Sequence, residues 1–113
     1  MDLTNADLAN TGLTKKVALV TGASGDIGGA IARCLAAQGA NVILTYVGAA
    51  EIAAQLATDI EQAGGNAWAV QLDQRDPEAI EALMDQVAAK YRRLDILVNN
   101  AAWNIGIPFP NLD

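Results

Sequence analysis

VALVTGASGDIG, residues 17–28, is the stretch that decides the fold of this 113-residue chain. Its beginning predicts a strand over 17–21, apolar almost throughout, as in strands that are buried on both faces of a sheet. Glycines then break the strand, and apolar residues at helical spacing predict a helix over 26–38 that stops at Gly39. A buried strand that turns sharply into a helix is typical of the opening of a βαβ unit.

The rest of the chain continues this alternation of β-branched runs and helical segments. Asp76 before Pro77 is typical of a helix start, with a capping side chain followed by a proline in the first turn. Right-handed crossovers give the strand order 3-2-1-4. The sequence therefore predicts an α/β fold, a Rossmann-type parallel sheet that is flanked by helices and truncated after its fourth strand. The further predicted elements are strands over 41–47, 67–72 and 96–99, and helices over 50–63 and from Pro77 onward.

The composition excludes several classes of function. Seven Lys and Arg against thirteen Asp and Glu give a net charge of −6, so the chain lacks the positive patch that neutralises nucleic-acid phosphates. With no His and one Cys, it offers neither a zinc-type metal site nor an internal disulfide. No apolar run approaches the roughly 20 residues of a membrane span, and the N-terminus does not resemble a signal peptide. We therefore expect a cytoplasmic protein without nucleic-acid or membrane partners.

Three expectations concern packing and surfaces. Cys34 is predicted to be a small core residue, because it lies beside Ile31 and Leu35 in the apolar pattern of the first helix. In the second helix, Ile52 and Leu56 are predicted to share one face. The fourth strand ends the predicted sheet as an unprotected edge, whose unpaired backbone groups invite pairing with another chain. We therefore expect self-association through this exposed sheet edge.

The turn after the first strand is suited to binding a pyrophosphate. It precedes a helix N-terminus, where free backbone amides and the helix dipole favour an anion. The glycines Gly22, Gly25 and Gly28 allow a phosphate to approach the backbone closely, although a tight strand-to-helix connection would also explain glycines here. Asn99 and Asn100 follow the fourth strand at its carboxyl end, which is where open α/β sheets bind ligands.

Two separated segments match the signature of a known family. The turn TGASGDIG, residues 21–28, is similar to the pattern Thr-Gly-x-x-x-Gly-x-Gly, and DILVNNAA, residues 95–102, is similar to Asn-Asn-Ala-Gly. Asp73 matches an acidic residue that the same family has after its third strand. The chain therefore resembles the short-chain dehydrogenase/reductase family, including its 3-oxoacyl-(acyl-carrier-protein) reductase-like members, over residues 15–102.

The resemblance implies an NAD(P)-dependent oxidoreductase that transfers hydride between a nicotinamide and an alcohol or carbonyl substrate. It divides the chain into an N-terminal extension (1–14), a dinucleotide-binding half-domain (15–102) and the start of a substrate-side loop (103–113). Asn99 would hold the central sheet together. By position, the implied cofactor contacts are Gly22, Ser24, Gly25, Ile27 and Gly28 at the pyrophosphate, Tyr46 and Val47 after strand two, Asp73 and Gln74 at the adenine, and Asn100 and Ala101 at the ribose near the nicotinamide.

Departures from the family pattern bear on the cofactor. Asp26 stands where the family has its middle glycine, and its carboxylate would repel a pyrophosphate unless it caps the helix and turns away. Ala102 replaces the final glycine of the second segment. After strand two, Tyr46 and Val47 supply neither the acid that binds a ribose 2'-hydroxyl nor the Arg that accepts a 2'-phosphate. The expected cofactor is therefore NAD(P), with a slight preference for NADP because the acid is absent.

The catalytic pair of the family is missing from these 113 residues. Family members use a Tyr-x-x-x-Lys pair and a Ser, but Tyr46 and Tyr91 lack a Lys four residues later, and Ser24 is the only serine. No catalytic residue is therefore assigned, and the chain alone is predicted to be inactive. A non-catalytic dinucleotide-binding or interaction module is the alternative. An NTP-hydrolysing domain is disfavoured, because no Gly-x-x-x-x-Gly-Lys turn is present.

Overall fold

The computed structural model of the protein describes residues 12–100. Its four strands are all parallel and lie in the order β3-β2-β1-β4, with helices on both faces of the sheet. The predicted α/β class and strand order are therefore confirmed, with boundaries that differ by one residue or so, as helix and strand ends commonly do. The strands are β1 (Val17–Val20), β2 (Asn41–Tyr46), β3 (Asn66–Gln71) and β4 (Ile96–Val98), and the helices are α1 (Asp26–Ala37), α2 (Ala50–Gln62) and α3 (Pro77–Tyr91).

The hydrophobic core has two layers, one on each face of the sheet. On one face, Ala18, Val20 and the β2 residues beside them pack under α1 and α2. On the opposite face, Val17, Leu19 and Ile43 pack under α3. Every residue of β1 is buried, as predicted for a strand covered on both sides. This double cover holds the carboxyl end of β1, where the Gly-rich turn begins, in a fixed position.

The helix α1 lies close to the sheet because its buried face is made of small residues, Gly28, Ala32 and Ala36. Cys34 is exposed, so its predicted core position is wrong. Residues two positions apart are separated by about 200° around a helix, which places Cys34 away from Ala32 and from the sheet. Ile27 is also turned outward, with 70% of its surface exposed.

The other two helices agree with their predicted starts and differ in one detail of packing. Leu56 is buried in α2, but Ile52 is 57% exposed, so these two residues do not share a buried face as their spacing predicted. At the start of α3, the Asp76 carboxylate accepts hydrogen bonds from the backbone amides of Glu78 and Ala79 at 3.1 and 3.3 Å. The predicted cap and the proline that follows it are confirmed.

The start of β4 is fastened to the start of β1. The Val17 amide donates to Asp95 Oδ2 at 2.8 Å, and Arg93 donates to both oxygens of the same carboxylate at 2.7 and 2.8 Å. Arg93 first, and then the Val17 amide, hold the pKa of Asp95 below its usual range. Within residues 12–100, β4 is an edge strand, and its Leu97 is 63% exposed.

Within residues 12–100, no helix is both long and apolar enough to cross a membrane. No group of three or more His, Cys, Asp or Glu in this part of the chain is arranged to hold a metal ion.

Candidate cofactor-binding site

The carboxyl ends of all four strands meet at one edge of the sheet, because the strands are parallel. The predicted site residues within the described range follow those ends and therefore lie along that edge. Ala101, the remaining one, lies outside the described residues. The edge carries the Gly-rich turn after β1, Tyr46 and Val47 at the end of β2, Asp73 and Gln74 after β3, and Asn99 and Asn100 after β4.

The Gly-rich turn is held by its own backbone. Gly22 has φ 66°, in the left-handed region that favours glycine. The Gly25 amide donates to the Gly22 carbonyl at 3.2 Å, and the Ala23 amide donates to the Thr45 carbonyl of β2 at 3.0 Å. A methyl group at Gly25 would meet only the Gly22 carbonyl, at an ordinary 3.5 Å. The fold therefore requires glycine at Gly22 but leaves room for a side chain at Gly25.

The first turn of α1 has no side-chain cap. Gly25 is the N-cap residue, with an extended backbone at φ −84° and ψ 166°, and Asp26 is the first residue of the helix. The idea that Asp26 serves as the cap is therefore wrong, because its backbone has already become helical. The amides at this N-terminus face the carboxyl edge of the sheet, and the positive end of the helix dipole favours an anion there.

Gly28 is where α1 crosses closest to the turn. A methyl group at Gly28 would lie 2.4 Å from the Gly22 carbonyl oxygen and 2.6 Å from Asn100 Nδ2. That side-chain amide of Asn100 donates to the same Gly22 carbonyl at 3.3 Å. The structure thus brings Gly22, Gly28 and Asn100 together in a single junction, which only a residue without Cβ at position 28 allows.

Thr21 joins the end of β1 to the end of β4. Its hydroxyl oxygen accepts a hydrogen bond from the Asn100 amide at 2.9 Å, and lies 3.3 Å from both the Val98 carbonyl and Asn99 Oδ1. Thr21 is buried, with 5% of its surface exposed. This role was not predicted from the sequence, although a lone hydroxyl residue between an apolar strand and a glycine was the available signal.

The end of β2 forms the middle of the edge. The Tyr46 carbonyl accepts from the Leu72 amide at 2.9 Å, and the Val47 carbonyl accepts from Gln71 Nε2 at 3.4 Å. Tyr46 is half-buried, whereas Val47 is 55% exposed. These contacts bind the end of β2 to β3 and leave the Val47 side chain on the surface, beside the predicted position of a ribose.

Asp73 is paired with Arg75, a partner that was not predicted from the sequence. Arg75 donates to it from the backbone amide at 2.9 Å and from two guanidinium nitrogens at 3.0 and 2.8 Å. The Arg75 side chain first, and its backbone amide next, lower the pKa of Asp73 to about 2. Asp73 is therefore a fixed carboxylate at physiological pH, able to accept but not to donate a hydrogen bond.

A groove of about 460 Å³ begins at the turn and is lined by residues of both α1 and α2. Three carboxylates line it, those of Asp26, Glu51 and Asp59, against one cation, Arg33. Arg33 contacts Asp59 at 3.2 Å, and Gln55 donates to Asp59 at 2.8 Å. Near the turn, the groove is therefore negatively charged.

The sequence is similar to those of known reductases. A 1-cyclohexenylcarbonyl-CoA reductase of Streptomyces collinus is 42% identical over 88 residues, covering 78% of this chain and 31% of that protein. A 3-oxoacyl-(acyl-carrier-protein) reductase of Synechocystis is 42% identical over 91 residues, covering 80% of this chain and 37% of that protein. The chain thus spans about a third of the length of these curated relatives.

Among solved structures, a short chain dehydrogenase from Burkholderia cenocepacia in complex with NADP is similar to the chain, with a TM-score of 0.78 and 46% identity. The match covers 89% of this chain and 41% of that one. The family model for short chain dehydrogenases matches residues 16–113. The predicted resemblance is confirmed, and the protein belongs to the short chain dehydrogenase family.

Proposed function

We propose that residues 15–102 form the dinucleotide-binding part of an NAD(P)-dependent oxidoreductase. The observation that supports this most strongly is the turn itself: an uncapped helix N-terminus lies at the carboxyl edge of a parallel sheet, beside a glycine that the fold does not require. Room for a side chain at Gly25, left unused, fits a ligand that needs close access to the backbone.

The residues at this edge fit the separate parts of a nicotinamide dinucleotide. Gly22, Ser24, Gly25, Ile27 and Gly28 would surround the pyrophosphate, mainly through backbone amides at the positive end of α1. The exposed Val47, with Tyr46, would border the adenosine ribose. Asp73 and Gln74 would contact the adenine, and the ionised Asp73 is suited to accept from its amino group. Asn100 and Ala101 would border the second ribose.

When bound, the dinucleotide supplies the hydride donor or acceptor for an alcohol or carbonyl substrate. The residues of this chain would bind and orient it, and none of the 113 residues supplies the Tyr-x-x-x-Lys pair that moves the proton to the substrate oxygen. We therefore propose that the chain by itself binds the cofactor without turning over a substrate. One curated relative is a 3-oxoacyl-(acyl-carrier-protein) reductase, so a carbonyl is the substrate class we propose for the whole protein.

NADP is the form that we propose is preferred. The position after β2 has no acid that would accept a hydrogen bond from a ribose 2'-hydroxyl and repel a 2'-phosphate. The Burkholderia cenocepacia dehydrogenase, 46% identical to this chain, holds NADP in its structure.

Titration calorimetry with NADPH tests the binding proposal, using Gly25→Val as the variant. A valine side chain fits the extended backbone of Gly25, where a methyl group has only a 3.5 Å contact, so the fold should persist. The side chain would occupy the space through which the pyrophosphate approaches, and we expect binding to weaken at least tenfold, which corresponds to about 1.4 kcal/mol. Ala37→Val, at the exposed far end of α1, is the control and should bind like the parent.

Two outcomes would contradict this proposal. A folded parent that binds neither NADPH nor NADH would show that the turn serves as scaffold only. Equal binding by the parent and by Gly25→Val would place the pyrophosphate elsewhere.

We also propose that the isolated chain self-associates through β4. Within residues 12–100 this strand has no neighbour on one side, and its Leu97 is 63% exposed. In sedimentation velocity, we expect a concentration-dependent shift towards dimers or larger species at micromolar concentration. Leu97→Lys should restore a monomer by charging the edge, whereas Ile52→Lys, on an exposed apolar site of α2, should not. A parent that stays monomeric across the dilution series would refute the proposal.

A further inference from the structure

We propose that Asp26 determines the affinity and the specificity of the dinucleotide site, by placing a competing negative charge at the positive end of α1. The carboxylate weakens binding in proportion to the phosphate charge of the ligand, and so it penalises NADP(H) more than NAD(H). This inference rests on the proposed function, since it concerns the same site.

The position of Asp26 makes it a competitor for the helix dipole. It is the first residue of α1 and it is exposed. It directly follows Gly25, the N-cap residue, which has no side chain to cap the helix. Among residues 12–100 its carboxylate has no hydrogen-bond or ion-pair partner. A carboxylate in the first turn is stabilised by the positive end of the dipole, and the same field attracts a pyrophosphate. The two anions therefore share one source of positive charge.

The surrounding charges do not neutralise Asp26. Arg33 is the cation that lines the adjoining groove, and its guanidinium contacts Asp59 at 3.2 Å. Glu51, in the first turn of α2, lines the same groove and adds a second uncompensated carboxylate. A phosphate on the ribose, placed between the first turns of the two helices, would meet this negative field in addition to that of Asp26.

Asp26 attenuates binding without blocking it. Gly25 has no side chain, so the backbone at the N-cap stays accessible, and the exposed Asp26 side chain is free to turn towards solvent. The remaining effect is electrostatic and acts over a distance, which makes it sensitive to salt. The absence of an acid after β2 still favours NADP(H), so Asp26 narrows that preference rather than reversing it.

Asp26→Asn tests the proposal, because it removes the charge and keeps the shape. We would titrate the parent and the variant with NADH and NADPH at about 20 mM and about 500 mM salt, where the Debye length falls from roughly 20 to 4 Å. At low salt, we expect NADPH to bind about five- to tenfold more tightly to the variant than to the parent, and NADH about two- to fivefold more tightly. These factors follow from Coulomb's law in a water-like medium, for a carboxylate and phosphates about one helical turn apart. At high salt, both differences should shrink.

The control is Glu61→Gln, which removes the same charge from an exposed position near the far end of α2, away from the groove. It should leave both affinities unchanged. The melting temperature without ligand provides a second readout: Asp26→Asn should not raise it, since the variant loses a favourable interaction with the dipole. Tighter binding by a variant that is no more stable identifies charge competition as the cause.

The outcomes separate this inference from the proposed function. If the parent binds and Asp26→Asn binds equally well or less tightly, the role of Asp26 is refuted while the proposed function stands. An equal gain for both dinucleotides would refute the specificity role. If neither protein binds a dinucleotide although both fold, the proposed function fails, and this inference fails with it.

Discussion

Gly28→Ala is expected to lower the free energy of unfolding by about 2–3 kcal/mol, as overpacking of a close contact does. The added methyl group would lie 2.4 Å from the Gly22 carbonyl oxygen and 2.6 Å from Asn100 Nδ2. Alanine is the better helix former by about 1 kcal/mol, but the overlap involves backbone and the Asn100 side chain at once. Relief requires α1 to move away from the turn, and its buried Ala32 and Ala36 would lose their contacts with the sheet.

Urea unfolding followed by circular dichroism measures this effect. The matched control is Gly25→Ala, three residues earlier in the same turn, where a methyl group has one contact at 3.5 Å. Alanine at Gly25 should change the free energy of unfolding by less than about 1 kcal/mol, because the gain from a negative φ is opposed by the poorer fit of alanine at an N-cap. Similar unfolding midpoints for Gly28→Ala and Gly25→Ala would contradict the close approach of α1 to Gly22.

Thr21→Val is expected to lower the free energy of unfolding by about 1–2 kcal/mol, because the hydroxyl accepts one hydrogen bond and donates another, and each contributes about 0.5–1.5 kcal/mol. Valine has nearly the shape of threonine, so packing around this 5% exposed residue is preserved. The Asn100 amide loses the hydroxyl acceptor at 2.9 Å and keeps the Val98 carbonyl at 3.1 Å, while the ends of β1 and β4 lose the side-chain hydrogen bond between Thr21 and Asn99.

Hydrogen exchange separates this loss from a general destabilisation. In Thr21→Val, the exchange rate of the Asn100 amide should rise more, relative to the parent, than the exchange rates of the α3 amides. Thr21→Ser, which keeps the hydroxyl, should behave like the parent. A change of less than about 0.5 kcal/mol in Thr21→Val, which is ordinary for a surface substitution, would mean that the hydroxyl is dispensable.

The strand order was predictable from the sequence because it depends on features that act locally. Four predicted strands are separated by three helical segments, and chirality then fixes the side of each crossover. The cap at Asp76 was predictable for the same reason, since its acceptor and its donors lie within three residues of each other.

The packing of individual helix residues was harder to predict from the sequence. Periodicity identifies an apolar pattern, but the distance between helix and sheet decides which part of that pattern is buried. The residues of α1 that contact the sheet are small, so Ala32 is buried while Cys34 and Ile27 face outward.

The candidate site also has one part that was predictable from the sequence and another that was not. The Gly-rich turn was recognisable because its residues are consecutive. The link between Thr21 and Asn100 was not, because it joins segments 79 residues apart that only the folded sheet brings together. The pairing of Asp73 with Arg75 is local, but many Asp and Arg side chains two residues apart on a surface form no such contact, and spacing alone does not distinguish them.

The pairing of β1 with β4 also has a kinetic consequence. It joins segments 78 residues apart, whereas β1–β2 and β2–β3 pair across shorter crossovers. Closing the longest loop is entropically the most expensive step, which favours forming it late. Stabilising a contact that is absent from the transition state slows unfolding without speeding folding. A dinucleotide bound across Gly22 and Asn100 would therefore lengthen the lifetime of the native state and leave the folding rate unchanged.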